Sequence, residues 1–130
     1  MKLLLDTHVA LWAIARTFAL SDLARTLIGD PENEVFVSVA AAWEIAIKHE
    51  PTRIPNPMPL SGEEAMDAFR DAGFKTVDIT SAHVRALKLL PPLHRDPFDR
   101  ILVAQATVEG ITLLTVDPLV ARYPGPVKRV

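Results

Sequence analysis

The first hydrophobic stretch of the chain is a short run of leucines that ends on an acidic residue. Residues 1–6 read Met-Lys-Leu-Leu-Leu-Asp, and a helical spacing of apolar residues begins directly behind them at Thr7. Consecutive leucines are typical of a strand in a parallel sheet, because such a strand is covered on both faces. The pattern therefore predicts a buried central strand with the carboxylate of Asp6 at its tip.

Beyond this strand, the apolar positions alternate between helical and strand spacing along the whole chain. Later strands are predicted at residues 34–38, 74–79, 111–115 and 127–130. Helices are predicted at residues 9–16, 22–28, 40–48, 61–73, 81–90 and 97–110, with a short helical turn after Asp117. Strands that alternate with helices favour a parallel sheet with helices on both faces. We therefore predict an α/β fold, with residues 1–130 forming a single three-layer α/β/α domain around a mainly parallel sheet of four to five strands.

The ends of the predicted helices carry local signals. Asp96 is a predicted N-cap, and Pro97 behind it suits the first helical position. Pro51 is expected to end the third helix, because proline cannot donate the backbone hydrogen bond that would continue it. Four prolines in residues 51–60 predict a loop without regular structure.

Composition narrows the class of protein only in part. The 130 residues are 49% hydrophobic and 23% charged, which is enough apolar surface for a core without disulfides. There is no cysteine, and no apolar segment approaches the roughly 20 residues that a membrane span needs, so we expect a cytoplasmic protein without a membrane partner. The formal net charge of -2 argues against a basic coat for nucleic acid, although a local patch can still hold a phosphate backbone.

Four acidic residues from distant segments are expected at one edge of the sheet. Asp6 and Asp117 follow the first and fourth strands, and Glu44 is predicted early in the helix that leaves the second strand. Asp99 lies in the first turn of the helix that precedes the fourth strand, so the start of that helix is at the same edge. In open α/β sheets this carboxyl edge is where ligands bind. The sequence therefore predicts a cluster of four carboxylates.

Such a cluster predicts a metal-dependent reaction. Carboxylates held close together repel one another unless a cation neutralises them, and oxygen ligands without cysteine or paired histidine select hard cations such as Mg²⁺ or Mn²⁺. These ions activate water and neutralise a phosphodiester that is being cut. Three basic residues near the predicted site are candidates for phosphate contacts: Lys48, Arg95 and Arg100.

Each acid also has a purely structural interpretation. Asp6 can serve only as a helix N-cap, and Glu44 can serve only as the ion-pair partner of Lys48 four residues later. Asp99 can complement the helix dipole, and Asp117 before proline is an ordinary way to open a turn. Only the joint placement of the four favours a site.

Other polar and aromatic residues are expected to have structural roles. Zinc-type spacing is absent from the four histidines, which are His8, His49, His83 and His94. Most of them are therefore expected on the surface or in the core. Trp12 and Trp43 are expected in the core rather than as platforms that stack on bases. Ser38 at a strand end is either a cap or a residue that orients a site carboxylate.

Four segments together resemble PIN-domain proteins of the VapC toxin type. They are residues 3–8 (Leu-Leu-Leu-Asp-Thr-His), 38–48, 94–106 and 114–118 (Leu-Thr-Val-Asp-Pro), and they occur in the same order and at similar spacing. The resemblance implies a PIN-like fold and a Mg²⁺- or Mn²⁺-dependent endoribonuclease, the toxin of a type II toxin–antitoxin pair. It also implies a homodimer silenced by a small DNA-binding antitoxin that places an arginine among the acids.

The resemblance assigns roles to particular residues. The catalytic acids would be Asp6, Glu44, Asp99 and Asp117, of which Asp6, Asp99 and Asp117 would bind the metal. Apart from the resemblance, Lys48 and Arg100 are the basic residues predicted to bind the RNA substrate. The chain departs from the usual family pattern at Val116, where a polar or basic residue is common, and in the proline-rich segment 51–59, which would lie near the antitoxin groove.

Three other functions fit parts of the sequence. An aspartyl-phosphate phosphatase also begins from an acid at a strand end, but it needs a second Asp where this chain has His8. A receiver domain needs an acid at the end of the third strand, where this chain has Ile79 and Thr80. A PIN module without catalysis, acting only through its protein partner, stays open.

Overall fold

The chain alternates strands and helices as the hydrophobic pattern predicts, in a computed structural model that describes residues 1–50 and 58–130. The strands are β1 (Lys2–Leu5), β2 (Glu34–Ser38), β3 (Lys75–Val77), β4 (Thr112–Thr115) and β5 (Val127–Arg129). The helices are α1 (Thr7–Ala15), α2 (Asp22–Gly29), α3 (Val39–His49), α4 (Gly62–Asp71), α5 (Ser81–Ala86) and α6 (Pro97–Glu109). Two 3₁₀ turns follow α5 and β4, at Leu87–Leu89 and Val120–Arg122.

The five strands of the described residues form one parallel sheet in the order β3-β2-β1-β4-β5. The strand order reverses at β1, which pairs with β2 on one side and with β4 on the other. In doubly wound folds such a reversal leaves a crevice at the carboxyl ends of the strands. The predicted α/β class and parallel sheet are therefore confirmed, and the carboxylate of Asp6 stands at the reversal.

The leucines of β1 connect two layers of helices. Leu3, Leu4 and Leu5 are completely buried, and alternate side chains of a strand point to opposite faces of its sheet. Leu3 and Leu5 pack in a core with residues of α1, α2, α3 and α4, whereas Leu4 packs in a second core formed largely by α6 and β4. The predicted three-layer arrangement is present.

The observed element ends correct three sequence predictions. The third strand is shorter than residues 74–79, because β3 lies at the edge of the sheet and pairs only over three residues of β2. The helix expected to reach Leu90 ends at Ala86 and tightens into a 3₁₀ turn, which closes with the bond from Leu90 N to the Leu87 carbonyl. The turn after Asp117 forms only from Val120. The prediction for prolines 51–57 lies outside the described residues.

Local capping signals position α6 as predicted. The Oδ1 atom of Asp96 accepts hydrogen bonds from the backbone N–H groups of Phe98 at 2.8 Å and Asp99 at 3.4 Å. Pro97 occupies the first turn, where its missing N–H has no helical partner to lose. This cap directs the first turn of α6, and with it Asp99, toward the carboxyl edge of the sheet. In the part of the chain that the structure describes, no helix is long and apolar enough to cross a membrane.

Candidate metal-binding active site

The four predicted acids line one cavity at the carboxyl edge of the sheet. The cavity has a volume of about 220 Å³, and its walls are Asp6, Thr7, His8, Glu44, Lys48, His94, Asp96, Asp99, Val116 and Asp117. Asp6 ends β1, and Asp117 lies two residues after β4. Glu44 is in the middle of α3 rather than early in it, which corrects the sequence prediction, and it still reaches the cavity. Distant segments therefore place their carboxylates together.

Asp6 is both a helix cap and part of the cavity wall. Its carboxylate is buried, and its Oδ1 accepts the backbone N–H of Val9 at 2.9 Å. Its Oδ2 accepts the hydroxyl of Thr115 at 2.5 Å. Burial raises the pKa of Asp6, although the bonds from Thr115 and Val9 oppose that rise. The capping and site interpretations of Asp6 are thus compatible, and Thr115 is a partner that sequence reasoning missed.

Glu44 is held by two donors at the cavity. Its side chain is buried, its Oε1 accepts the Thr7 hydroxyl at 2.6 Å, and its Oε2 accepts the Lys48 ammonium at 2.5 Å. Burial opposes protonation of Lys48, but the hydrogen bond and charge of Glu44 outweigh it and raise the pKa of Lys48. Lys48 therefore lines the cavity as a cation already paired with Glu44.

Asp99 has the most strongly shifted carboxyl group of the cavity. Burial raises the pKa of Asp99 to about 7, and the negative charges of Asp96 and Glu44 add to the rise. The charge of His94 opposes it. Asp99 is held near other carboxylates and partly out of water, so its ionised form is unfavourable. A cation bound beside it would offset the repulsion between these negative charges. The donor set, made of carboxylate oxygens, fits a hard divalent cation.

Asp117 contacts His94, a residue that the sequence analysis left out of the site. The Oδ2 of Asp117 lies 3.1 Å from Nε2 of His94, and its Oδ1 accepts the N–H of Leu119 at 2.8 Å. Burial opposes ionisation, but these bonds outweigh it and lower the pKa of Asp117. Nε2 of His94 is also 3.2 Å from Oδ2 of Asp99. The spacing of histidines along the chain could not reveal these contacts, because both partners are carboxylates and Asp117 lies 23 residues from His94.

Arg100 is not among the residues that line the cavity, and its contact with RNA stays a prediction. Its guanidinium donates to the carbonyls of Pro91 at 3.1 Å and Leu87 at 3.3 Å, and to the hydroxyl of Tyr123 at 3.0 Å. These bonds tie the first turn of α6 to the segment before it. Arg95, the third basic candidate, is exposed. Of the three basic residues predicted near the site, Lys48 lines the cavity.

The expectation for Trp43 is wrong. Its side chain is 57% exposed and meets the ring of Phe98 edge to face, with 5.0 Å between the ring centroids. The buried residues of α3 are Ala40, Ala41, Ala42, Glu44 and Ile45, and Trp43 lies outside this stripe. Ser38 is a cap, because its hydroxyl accepts the N–H of Ala40 at 3.0 Å.

Comparisons with known proteins agree with this fold. The family model described as PIN domain matches residues 3–126. Ribonuclease VapC16 of Mycobacterium tuberculosis (strain ATCC 25618 / H37Rv) is 34% identical over 59 residues, which is 45% of this chain and 41% of that protein. The match thus spans less than half the length of this curated relative.

Two solved structures share the fold across essentially the whole chain. VapBC2 from Rickettsia felis, bound to a DNA fragment from its promoter, has a TM-score of 0.68 at 14% identity, over 100% of this chain and 99% of that one. DNA-bound VapBC from Salmonella typhimurium has a TM-score of 0.66 at 13% identity, over 99% of this chain and 98% of that one. At these identities the likeness establishes the architecture alone.

Proposed function

Since the chain belongs to the PIN domain family, we propose that it is a Mg²⁺- or Mn²⁺-dependent endoribonuclease and the toxin of a type II toxin–antitoxin pair. Residues 1–130 act in this proposal as one PIN domain, located in the cytoplasm with its RNA substrate. The ribonuclease activity is supported by the family and by the similarity to a protein described as ribonuclease VapC16. The site is the cavity lined by the four acids.

The convergence of Asp6, Glu44, Asp99 and Asp117 on one cavity is the observation that carries this proposal. A binding module would have no physical need to hold four acids together in a cavity where burial, and after it the negative charges of Asp96 and Glu44, raises the pKa of Asp99 to about 7. Repulsion of this kind is expected where a cation completes the site.

Some residues of the cavity are proposed to bind the metal ion, and others hold those residues in position. Asp6, Asp99 and Asp117 would hold the metal ion, and Glu44 completes the acidic wall. When bound, the ion would supply Lewis acidity that activates a water molecule and neutralises the phosphate being cut. Thr115 holds the carboxylate of Asp6 in position, because its hydroxyl donates a hydrogen bond to Oδ2 of Asp6.

Two hydrogen-bond donors hold the carboxylate of Glu44 in position. Thr7 and Lys48 each donate to one of its oxygens, so the carboxylate is fixed in one orientation beside the cavity. The ammonium of Lys48 also lines the cavity, so we assign it the contact with the RNA phosphate. Hydrolysis adds water oxygen to phosphorus, breaks the bond to a ribose oxygen and returns a proton to that oxygen.

Chelation is the direct test of this activity. We expect the purified protein to cut members of a panel of RNAs when Mn²⁺ or Mg²⁺ is present, to lose activity in excess EDTA, and to regain it when Mn²⁺ is added back. Cleavage that continues in EDTA would contradict metal dependence. A homogeneous protein that cuts no RNA with either ion would favour the alternative of a non-catalytic PIN module that acts through protein binding.

The proposed partner is a small DNA-binding antitoxin, and the free toxin is proposed to be a homodimer. Support for the antitoxin comes from the fold shared with the DNA-bound VapBC structures. An apolar groove of about 520 Å³ offers a place for it, lined by His8, Leu11, Trp12, Ile14, Ala15, Thr17, Met58, Pro59, Leu60 and Ala68. His8 also lines the acidic cavity, so the groove and the cavity adjoin. An arginine of the antitoxin could therefore pair with the acids by a bidentate contact.

Light scattering on co-expressed proteins tests the partnership. We expect the toxin alone to have the mass of a dimer, and to form a larger complex with the small protein encoded beside it. Leu11→Arg should weaken that complex by placing a charge in the apolar groove. A strict monomer that binds no neighbouring gene product would contradict both parts.

A further inference from the structure

His94 lies between two acids of the cavity and contacts both. Its Nε2 is 3.1 Å from Oδ2 of Asp117 and 3.2 Å from Oδ2 of Asp99. Among the described residues, this is the one group of three whose donor atoms all lie within 4.8 Å of one another. By composition alone, an imidazole beside two carboxylates would suit a transition metal.

The other nitrogen of the ring argues against metal ligation by His94. Nδ1 is 3.0 Å from the backbone nitrogen of Asp96 and accepts its hydrogen. A neutral imidazole carries one N–H, so this bond assigns the proton to Nε2, which faces the carboxylates. A histidine that ligates through Nε2 normally donates its Nδ1 hydrogen to an oxygen acceptor, whereas Nδ1 here faces a donor.

The backbone around His94 is also held by hydrogen bonds to the Tyr123 hydroxyl and to Arg100. The backbone N–H of His94 donates to the hydroxyl of Tyr123 at 3.0 Å, and Tyr123 is buried. Arg100 donates to the same hydroxyl and to the carbonyl of Pro91. The backbone is therefore tied on the side away from the cavity, and the bond from Asp96 decides which ring nitrogen faces the acids.

We propose that His94 is a positioning residue of the metal site and not a ligand. Its Nε2 donates a hydrogen to Oδ2 of Asp117 and lies 3.2 Å from Oδ2 of Asp99, so the imidazole bridges the two carboxylates and must move away from both oxygens for them to hold a cation. The proposal rests on the proposed metal dependence and deepens it. Because the imidazole offers a hydrogen rather than a lone pair, the carboxylate oxygens of Asp99 and Asp117 would hold a cation on this side, and oxygen donors suit Mg²⁺ and Mn²⁺.

Two substitutions separate a bridging donor from a ligand. His94→Asn places an amide oxygen near the position of Nδ1, where it can still accept the Asp96 N–H, but it is too short to reach the carboxylates. His94→Gln extends an amide N–H to about the position of Nε2, so it keeps the bridge. By isothermal titration calorimetry, we expect His94→Asn to bind Mn²⁺ about tenfold more tightly than wild type, and His94→Gln to stay within about threefold of it.

The outcomes are distinguishable. Weaker Mn²⁺ binding by His94→Asn would overturn the proposal, and a loss larger for Mn²⁺ than for Mg²⁺ would identify His94 as a ligand. Unchanged affinity in both variants would also overturn it, while leaving metal dependence intact. A wild type that binds neither ion would overturn metal dependence and the proposal together.

Nuclear magnetic resonance of the wild type provides a measurement that needs no substitution. In the metal-free protein, we expect the long-range couplings of the His94 ring to show the hydrogen on Nε2 and a bare Nδ1. A hydrogen on Nδ1 would contradict the hydrogen-bond assignment on which the proposal is built.

Discussion

Asp99→Asn is expected to abolish RNA cleavage while making the metal-free protein as stable as wild type or more stable at neutral pH and above. Burial and the charges of Asp96 and Glu44 raise the pKa of Asp99 from 3.8 to about 7 in the folded state. The protonated group is therefore favoured by folding, and stability is lost as the pH rises from about 4 through 7. Asparagine cannot ionise, so the variant escapes this loss.

The gain in stability should follow pH. Below about pH 4, Asp99 is protonated in both states and the variant should have no advantage; above pH 7 the advantage should be complete. Each pKa unit corresponds to about 1.4 kcal/mol, and solvent screening of a side chain that is 19% exposed reduces the total, so we expect on the order of 2 kcal/mol. Urea unfolding of both proteins in EDTA at several pH values measures it.

Asp96→Ala is the matched control, three residues away on the same helix. Its Oδ1 caps the N–H groups of Phe98 and Asp99, so removing it should cost about 1 kcal/mol of unfolding free energy. Asp96→Ala should still cleave RNA, because Asp96 is not one of the proposed metal ligands. An active Asp99→Asn, together with an Asp96→Ala that is inactive but fully stable, would mean that the cap and the ligand have been exchanged.

Metal should also distinguish wild type from Asp99→Asn. A ligand that binds only the folded state stabilises it by mass action, about 2.7 kcal/mol at a hundred times the dissociation constant. Mg²⁺ or Mn²⁺ should therefore raise the melting temperature of wild type more than that of Asp99→Asn. Equal shifts for the two proteins would remove Asp99 from the metal site.

Asp6→Asn is expected to reduce cleavage by at least about a hundredfold without unfolding the protein. The substitution removes the negative charge at the point where the strand order reverses. The amide oxygen can still accept the N–H of Val9, so the cap of α1 is retained. The amide hydrogens then face the hydroxyl of Thr115, which can rotate to accept one.

The control for Asp6→Asn is Asp22→Asn at the start of α2. Asp22 is likewise an acid at the start of a helix, but its side chain is fully exposed and its partner Arg25 is itself exposed. Cleavage by Asp22→Asn should equal that of wild type, and circular dichroism should show both variants folded. Wild-type cleavage by Asp6→Asn would exclude the proposed site.

The fold was predictable because its signals are local. The leucine run of β1 and the alternation of helical and strand spacing follow from burial on one or both faces of each element. The Asp96 cap and the capping box of Ser61 and Glu64 depend on atoms three residues apart. Such contacts exist whatever the rest of the chain does, so the sequence specifies them directly.

The acids of the site were predictable for a related reason. Asp6 and Asp117 follow strands, and parallel strands end at one edge, so topology alone brings them together. Their family roles stay predictions until the substitutions are made. The helical spacing that placed Glu44 on α3 indicated Lys48 as one donor, but it could not reveal the other, because Thr7 lies 37 residues earlier in the chain.

By itself the sequence determined the order of the elements, the parallel sheet, the helix caps and the edge at which the acids collect. Tertiary structure alone decided which side chains face one another there. In the folded chain, Arg100 donates to Tyr123 and does not line the cavity, and Trp43 is exposed. His94 lies in contact with Asp99 and Asp117. The physical reason is that hydrophobic periodicity specifies the face on which a side chain lies, whereas its partner comes from another segment packed against that face.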